Sequence, residues 1–313
     1  MLHFSVIIPN YNHAPFLRER INSILNQTFQ DFELIILDDA STDNSKEIFE
    51  QYKTNPKITH IVYNNTNSGL QSTQWLKGIE LVKHDWIWIA ESDDIAAPSF
   101  LQTAANRISK IPGPAIIYTD SLKLTENNKR YSEIKNSFFD TDKWSADYTA
   151  KGEDEINSYI KYGCTINNVS AAVFPKKQAI EILKNFLHMR YYSDWLFFIQ
   201  LLQRCEIIYV AEPLNWYRMH EGSLFNSIQD PFTKRKECFS ILNYLVQLPF
   251  LSGKEELVKF FTEQYLSFGL WNERKYLSAI FKNYRYINQP LFYKFLKYFT
   301  LLKIGRKKIK YIF

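Results

Sequence analysis

Glycine is scarce in this chain of 313 residues, with 9 copies, and the first of them is Gly69. Loops that wrap phosphate in backbone N–H groups need glycines directly after the first strand. The first strand-like segment begins near residue 4, so neither a dinucleotide-binding glycine fingerprint nor a P-loop can follow it. Any phosphate that this protein binds must therefore be held by a metal ion or by side chains.

Cysteine and long apolar runs are scarce as well. The three cysteines, Cys164, Cys205 and Cys238, are odd in number and lack the spacing of metal ligands. They indicate reduced thiols, as in a cytoplasmic protein. The N-terminus has no signal-peptide pattern, which also favours the cytoplasm. No run of about 18 consecutive apolar residues occurs, so no transmembrane helix is predicted.

Acidic residues are absent after Glu273. Eleven of the 38 basic residues lie in that stretch, which leaves 27 basic and 33 acidic residues before it. Residues 290–313 combine apolar side chains with the basic cluster Arg306–Lys310, a pattern that suits the anionic inner face of a cell membrane. Packing against the protein's own core is the other interpretation. Nucleic acid is not an expected partner, because the body of the chain is acidic and contains no recognised module.

Strand and helix patterns alternate over the first hundred residues. Short apolar, strand-like segments are separated by stretches with apolar residues at helical spacing. The strand-like segments lie at 4–8, 32–37, 58–63 and 86–90. This alternation predicts an α/β fold with a mostly parallel sheet flanked by helices. We expect this domain to span residues 1–225, and a helical extension ending in the basic tail to span 226–313.

Three acidic residues directly follow the apolar run Trp86–Ala90, in the segment Glu91-Ser92-Asp93-Asp94. A run so apolar is typical of a buried parallel strand, and ligands bind beyond the carboxyl ends of such strands. Carboxylates packed this closely repel one another unless a cation or hydrogen bonds hold them. A hard divalent cation, Mg²⁺ or Mn²⁺, that carries a substrate's phosphates would do so. A helix cap at the end of the strand is the alternative.

Four segments of the chain carry a family resemblance. They are Ser5–Asn12, Leu37–Asp43, Glu91–Asp94 and Leu214–Ser223. In this order they resemble the first strand, the second-strand motif, the metal motif and the donor-closing segment of the family-two nucleotide-sugar glycosyltransferases of GT-A fold. The resemblance implies an inverting transfer of sugar from a UDP- or dTDP-sugar to a glycan or lipid-linked glycan, in bacterial surface polysaccharide synthesis such as that of capsule or lipopolysaccharide.

The resemblance also implies which residues bind the nucleotide. Asp39 would read the base, because its carboxylate can accept a hydrogen bond from N3–H of uracil or thymine, a donor that cytosine lacks. Pro9 and Tyr11 would shape the wall beside the base, and Asn67 and Gly69 match the family's turn after the third strand. A capping network at the start of the next helix is the alternative role of Asp39.

The same resemblance implies the metal and phosphate ligands. Asp93 and Asp94 would bind the metal and its diphosphate, with Asp94 as the direct ligand. Arg218 and His220 alternate on an extended segment and can therefore face one side. Arg218 would neutralise the departing diphosphate, and His220 would bind the metal or donate to phosphate. Glu91 would reach the ribose of the nucleotide or remain solvated.

Asp194, at the start of an apolar helix, matches the family's catalytic base. A carboxylate beside the reactive carbon of the sugar would take the proton of the acceptor hydroxyl, and one direct displacement would invert the configuration. A helix-terminal acid favoured by the helix dipole is the alternative. Asn168 and Ser170 are candidate contacts of the acceptor.

The chain departs from the family pattern at Trp75-Leu76, where many relatives have Arg-Asn before Lys-Gly-Ile. A phosphate contact from that helix is therefore not expected. Two other classes remain open. One is a nucleotide-sugar or glycan-binding protein without activity. The other is a sugar nucleotidyltransferase. That class needs a loop rich in glycine and basic residues after the first strand, and such a loop is missing here.

Overall fold

The computed structural model describes residues 2–125, 130–132, 141–166, 168–186, 189–220 and 230–267. The basic tail at 290–313, with its predicted membrane contact, lies outside these ranges, as do residues 221–223 of the donor-closing segment. The chain divides into two compact units, one within 1–160 and 164–228 and the other within 161–163 and 229–313. The domain boundary after residue 225 stays a prediction.

Ten strands form one sheet in the part of the chain that the structure describes. They are β1 (Phe4–Asn10), β2 (Phe32–Asp38), β3 (Ile58–Tyr63), β4 (Trp86–Ile89), β5 (Ile95–Ala96), β6 (Ala115–Leu124), β7 (Arg130–Ser132), β8 (Tyr148–Ala150), β9 (Ala172–Pro175) and β10 (Glu206–Arg218). The α-helices are α1 (Ala14–Leu25), α2 (Ser45–Tyr52), α3 (Gln71–Leu81), α4 (Phe100–Ile108), α5 (Gly152–Glu155), α6 (Lys176–Leu183), α7 (Ser193–Leu202), α8 (Pro231–Gln247) and α9 (Lys254–Ser267). Short 3-10 helices at Thr141–Ser145 and Val169–Ala171 and a π-helical turn at Ile156–Ile160 complete the described elements.

The sheet is parallel in its first half and mixed in its second. Its strand order is β3-β2-β1-β4-β9-β6-β10-β5, and β7 and β8 pair with β6 and β10. The strands β1 to β4 are mutually parallel, as predicted. The strand β9 runs antiparallel to both β4 and β6, and β10 is parallel to β6. The strands β4, β6 and β10 therefore all point towards the same edge of the sheet.

The central strands are apolar throughout because helices cover both faces of the sheet. Every residue of β1 and β2 is buried. Val6 and Ile8 belong to the core that includes Ile21 of α1. Ile7 points to the other face, where α3 packs so closely that a Cβ atom on Gly78 would lie 2.6 Å from Ile7 Cγ2. Glycine at position 78 is therefore required by the close approach of α3 to β1.

The register of the central strands brings the loops after β1, β2 and β4 together. Asn10 is opposite Asp38, and its side chain donates to Asp38 Oδ1 at 2.8 Å. Ile7 is opposite Ile89, and the N–H of Ala90 donates to the carbonyl of Ile7 at 2.8 Å. Polar residues that follow these strands therefore meet at one edge of the sheet, as the sequence predicts.

The second unit contains α8 and α9. Asp230 caps α8, since its Oδ1 accepts the N–H of Thr233 at 3.0 Å, and Pro231 occupies the first turn. Lys254, at the start of α9, donates its ammonium group to the carbonyls of Val246 and Leu248, both at 2.8 Å. None of the helices that the structure describes is long and apolar enough to cross a membrane.

Candidate active site

The loops after β1 and β2 are tied to each other and share an unusual backbone conformation. Asn12 has a φ of 57° and Ala40 a φ of 61°, in the left-handed region that non-glycine residues rarely adopt. The N–H of Thr42 donates to Asn12 Oδ1 at 2.7 Å, and the N–H of Asn12 donates to Ser41 Oγ at 2.9 Å. Such strain is typical of backbone held in place at a functional site.

The carboxylate of Asp39 is buried in a network of hydrogen bonds. Its Oδ1 accepts from Asn64 Nδ2 at 2.6 Å and from Gln74 Nε2 at 2.8 Å. Ser68 donates its N–H to both carboxylate oxygens at 3.0 Å and its hydroxyl to Oδ2 at 2.7 Å. The alternative role as a helix cap is not observed, because Asp43 accepts the N–H at the start of α2 instead.

The other predicted nucleotide-binding residues of the first loops surround Asp39. Asn67 donates its side-chain amide to the carbonyl of Asp39 at 3.1 Å and accepts the N–H of Gly69 at 2.7 Å. Gly69 has a φ of 71°, in the left-handed region that glycine adopts without steric cost. Pro9 is buried within β1, whereas the ring of Tyr11 is 45% exposed. Tyr11 is therefore the member of this set that presents an aromatic face to solvent.

The segment Glu91–Asp94 after β4 forms an acidic turn, and two hydrogen bonds hold its first residue in place. The N–H of Glu91 donates to Ser170 Oγ at 2.9 Å, and Trp75 Nε1 donates to Glu91 Oε1 at 3.0 Å. Burial, together with the charge of Asp93, raises the pKa of Glu91 to about 8. Trp75, which stands where the family pattern has arginine, thus contacts the acidic turn rather than a phosphate.

Asp93 lies in a cluster of possible metal ligands. Its Oδ2 is 3.1 Å from His220 Nε2. His13 Nδ1 is 2.8 Å from Ser92 Oγ. One ligand atom from each of His13, Asp93 and His220 lies within 4.8 Å of the others. Burial lowers the pKa of His13, which favours the neutral imidazole that binds metals. Burial opposes the ionisation of Asp93, but the hydrogen bond to His220 and the charge of His13 lower its pKa overall.

Asp94, which the sequence predicts as the direct metal ligand, faces the protein instead. Its Oδ1 accepts the N–H of Arg218 at 3.1 Å, and its Oδ2 accepts from Asn168 Nδ2 at 2.8 Å. Burial, together with the charge of Asp93, raises the pKa of Asp94 to about 7. The structure therefore brings Asp93, and not Asp94, next to His220, and Asp94 joins β10 to the acidic turn.

Arg218 also takes a structural position in place of the predicted phosphate contact. Its side chain is 4% exposed, and Nη2 lies 2.6 Å from Glu19 Oε2. Its Nε donates to the carbonyl of Asp93 at 3.0 Å, and its guanidinium lies 4.9 Å from the centre of the Phe16 ring. Arg218 thus joins the end of β10 to α1 and to the acidic turn, which positions His220 two residues further along.

Asp194 lies in the first turn of α7, the helix whose Phe197 contacts a side chain that is bonded to the acidic turn. The ring of Phe197, on the next turn of α7, lies 5.9 Å from that of Trp75, which donates to Glu91. Asp194 Oδ1 accepts the N–H of Trp195 at 2.8 Å. Burial raises the pKa of Asp194 to about 6. A carboxyl group with this pKa is ionised at neutral pH and close to the value that suits a general base.

The predicted acceptor contacts are occupied by the protein itself. Ser170 is fully buried, and its hydroxyl accepts the N–H of Glu91. This position corrects the prediction that Ser170 touches the acceptor. The amide of Asn168 donates to Asp94, and its Oδ1 accepts from Asn215 Nδ2 at 3.0 Å. Both residues therefore support the acidic turn.

Sequence reasoning missed two residues of this site. His13 directly follows the loop after β1, and its position beside a predicted ligand-binding loop was a usable signal. Gln74 had no such signal, since it lies inside α3 and reaches Asp39 only because α3 packs behind that loop.

Comparisons with known proteins relate this chain to glycosyltransferases. The family model described as Glycosyl transferase family 2 matches residues 5–174. The chain is 25% identical over 236 residues to the glycosyltransferase GlyG of Streptococcus pneumoniae serotype 4, which covers 71% of this chain and 73% of GlyG. It is 34% identical over 90 residues to the putative teichuronic acid biosynthesis glycosyltransferase TuaG of Bacillus subtilis, which covers 29% of this chain and 35% of TuaG.

Solved structures show the same fold. The crystal structure of S. aureus TarS 1–349 in complex with UDP-GlcNAc has a TM-score of 0.71 to this chain at 15% sequence identity, and the match covers 100% of this chain and 93% of that one. This likeness, with the parallel half-sheet and flanking helices, confirms the predicted GT-A fold. The match of the family model over more than half of the sequence goes further: the chain belongs to glycosyl transferase family 2.

Proposed function

We propose that this protein is an inverting glycosyltransferase that moves a sugar from a UDP- or dTDP-sugar to a hydroxyl group of a glycan in bacterial surface polysaccharide synthesis. The observation that carries the proposal is the meeting of the loops of Asp39 and Asp93 at one edge of the sheet. The fold likeness to TarS bound to UDP-GlcNAc supports the donor class. The names of the relatives TuaG and TarS, a poly(ribitol-phosphate) beta-N-acetylglucosaminyltransferase, support the product class.

The base of the nucleotide would lie between Tyr11 and Asp39. Among the described residues, Asp39 Oδ2 accepts the hydroxyl of Ser68 and shares the N–H of Ser68 with Oδ1, whereas Oδ1 also accepts from Asn64 and Gln74. Because the shared N–H uses Oδ2 only in part, Oδ2 is the oxygen that would accept from N3–H of uracil or thymine. The exposed ring of Tyr11 would stack on the base, and Asn67 and Gly69 would keep the loop beside Asp39 in place.

A divalent cation would be held by His13, Asp93 and His220. Their ligand atoms are close enough together to share one ion, and the shift in the pKa of Asp93 favours its anionic form. Two imidazoles and one carboxylate suit Mn²⁺ better than Mg²⁺, which prefers oxygen ligands. When bound, the cation would supply stabilisation of the charge that the leaving diphosphate acquires.

Asp194 would act as the base. Its carboxylate would accept the proton of the acceptor hydroxyl as that oxygen attacks the anomeric carbon, and the nucleoside diphosphate would leave from the opposite face. The acceptor would be a glycan or a lipid-linked glycan. Residues 290–313 would then bring the enzyme to the anionic cytoplasmic face of the membrane.

Nucleotide binding and transfer can be separated by one substitution. Thermal unfolding is measured with Mn²⁺ and UDP, dTDP or GDP, and UDP release is measured with UDP-sugars. Asp194→Asn is expected to keep stabilisation by UDP and to lose about 10²–10⁴-fold in the rate of UDP release, the usual contribution of a positioned base. Asp31→Asn, an exposed residue before β2, is the matched control and should change neither.

Two outcomes would contradict the proposal. Stabilisation by GDP but not by UDP or dTDP would overturn the role of Asp39 and the donor class. An Asp194→Asn variant that releases UDP at the wild-type rate would show that Asp194 is not the catalytic base. A wild-type protein that binds UDP but transfers no sugar would indicate a nucleotide-sugar binding protein without activity.

A further inference from the structure

Trp195, the residue after Asp194, is buried in the first turn of α7. Two of its hydrogen bonds lead to different parts of the fold. Its main-chain N–H donates to Asp194 Oδ1 at 2.8 Å, and its indole Nε1 donates to the carbonyl of Ile160 at 2.6 Å. One residue therefore connects the carboxylate in the first turn of α7 with a segment that lies outside this helix.

The carboxylate of Asp194 is directed by the backbone of α7. The first N–H groups of an α-helix have no partner within the helix, so the N–H of Trp195 is available to this carboxylate. Among the residues that the structure describes, no side chain donates a hydrogen bond to Asp194. A catalytic base is commonly oriented by a third group. For Asp194 that group is the main chain of Trp195, so the contacts that fix the first turn of α7 also fix the carboxylate.

The carbonyl that receives the indole belongs to a π-helical turn. This turn, Ile156–Ile160, directly follows α5, and its last residue Ile160 is fully buried. The last carbonyl groups of a helix have no partner within it, and a buried carbonyl needs one. The indole of Trp195 supplies that partner. π-helical turns are rare and occur mostly at functional sites.

The segment 152–160 also lies against the other end of α7. Both α5 and the π-helical turn contact α7. A Cβ atom on Gly152, the first residue of α5, would overlap the carbonyl oxygen of Leu202, the last residue of α7. Glycine is therefore required there by close packing. The segment runs along α7 from its last residue back to Trp195 and supports the helix at both ends.

We propose that Trp195 is a positioning residue for the transfer reaction, which sets the direction of the Asp194 carboxylate by fixing the first turn of α7 to the carbonyl of Ile160. This role rests on the proposed function, in which Asp194 is the base. Trp195 does not touch the substrate in this account. It acts only through the place of the carboxylate beside the acceptor hydroxyl, where a shift of about 1 Å can cost about 100-fold in rate.

The substitution Trp195→Phe tests the role because it keeps an aromatic ring and removes the indole donor. The release of UDP from UDP-sugars is measured together with calorimetric titration by UDP. We expect kcat to fall by about 10–100-fold, while KM for the donor and the affinity for UDP stay within about threefold of wild type. Trp144→Phe is the matched control, because its buried indole donates to the buried hydroxyl of Tyr118 at 2.9 Å. It should weaken resistance to urea and leave kcat unchanged.

A second comparison separates positioning of the base from a purely structural role. Trp195→Phe is combined with Asp194→Asn. If the indole acts through the carboxylate, its loss should change the residual rate of Asp194→Asn by less than about threefold. An equal loss of rate in both backgrounds would overturn the proposal. So would a wild-type kcat in a Trp195→Phe variant that binds UDP.

The loss of ring volume in Trp195→Phe is controlled by placing 3-benzothienylalanine at position 195. This amino acid keeps both rings and has sulfur in place of the N–H, so it cannot donate. It should reproduce the loss in kcat, and a wild-type kcat would overturn the role of the indole donor. Loss of UDP binding in both variants would show that Trp195 serves folding alone, which also overturns the proposal. The proposed function is read separately, since it fails only if Asp194→Asn by itself keeps the wild-type rate or if the wild-type protein transfers no sugar.

Discussion

His220 Nε2 lies 3.1 Å from Asp93 Oδ2, and the two residues are 127 positions apart in the chain. This contact joins the donor-closing segment to the acidic turn after β4. With His13 beside them, the two residues define the proposed metal site. The contact also means that the loops of three strands must be folded before a cation can be bound.

Removal of the imidazole of His13 is expected to weaken metal binding. His13→Ala should lower the affinity for Mn²⁺ by about tenfold or more, since even partners of metal ligands contribute 10–100-fold. The measurement is a titration with Mn²⁺ followed by electron paramagnetic resonance, which also reports imidazole nitrogens near the ion. His60→Ala, on the edge strand β3, is the matched control. Wild-type Mn²⁺ affinity in His13→Ala would exclude His13 as a ligand.

The rate of transfer is expected to fall in acid with the protonation of Asp194. Because burial raises the pKa of this carboxyl to about 6, kcat/KM should decrease about tenfold per pH unit below that value and level off above it. The pH profile of UDP release measures this. Asp31→Asn should show the same profile, and a flat rate between about pH 5 and 7 would contradict the assignment.

The same shift predicts an effect of Asp194 on stability. The folded state raises the pKa of Asp194, so the folded protein binds more protons than the unfolded chain between about pH 4 and 6, and stability falls as pH rises through this window. At neutral pH, Asp194→Asn should therefore be more stable than wild type, by about 1 kcal/mol after allowance for solvent screening. Urea unfolding at neutral pH and at acid pH measures it. A loss of stability in Asp194→Asn at neutral pH would contradict the expected sign.

Asp39→Asn is expected to lower both stability and base selectivity. The amide group would place a donor among the donors of Asn64, Ser68 and Gln74, at a cost of about 1–3 kcal/mol. The preference for UDP over CDP, measured by titration, should also be lost. Asn64→Ala removes one hydrogen bond but leaves the carboxylate, so it should lose stability and keep the preference. An Asp39→Asn variant that still prefers UDP would show that Asp39 does not read the base.

Lys143 and Glu155 form an ion pair whose separation is expected to be costly. The side chain of Glu155 is fully buried, and the ammonium of Lys143 lies 3.5 Å from the centre of the Tyr159 ring. Lys143→Met would leave the carboxylate unpaired, at a cost of about 3–5 kcal/mol in urea unfolding. The double variant with Glu155→Leu should recover most of that loss. A double variant as unstable as Lys143→Met would contradict this account.

The elements that carry the site could be predicted from the sequence, but the direction of several side chains could not. The turn Glu91–Asp94 is recognisable because it follows an apolar strand, and Asp39 is recognisable for the same reason. The sequence could not show that Arg218 turns towards Glu19, or that Ser170 is buried beneath Glu91. Those orientations depend on partners that lie far away in the chain.

The sequence by itself determined the order of strands and helices and the position of carboxylates at strand ends, because apolar periodicity and strand termination are local properties. Only the tertiary structure decided which carboxylate meets His13 and His220, and that a charged residue, Arg20, is fully buried against the ring of Trp88. The physical reason is that burial and charge pairing arise between segments brought together by packing, and neighbouring residues such as Asp93 and Asp94 can point to opposite sides of the same turn.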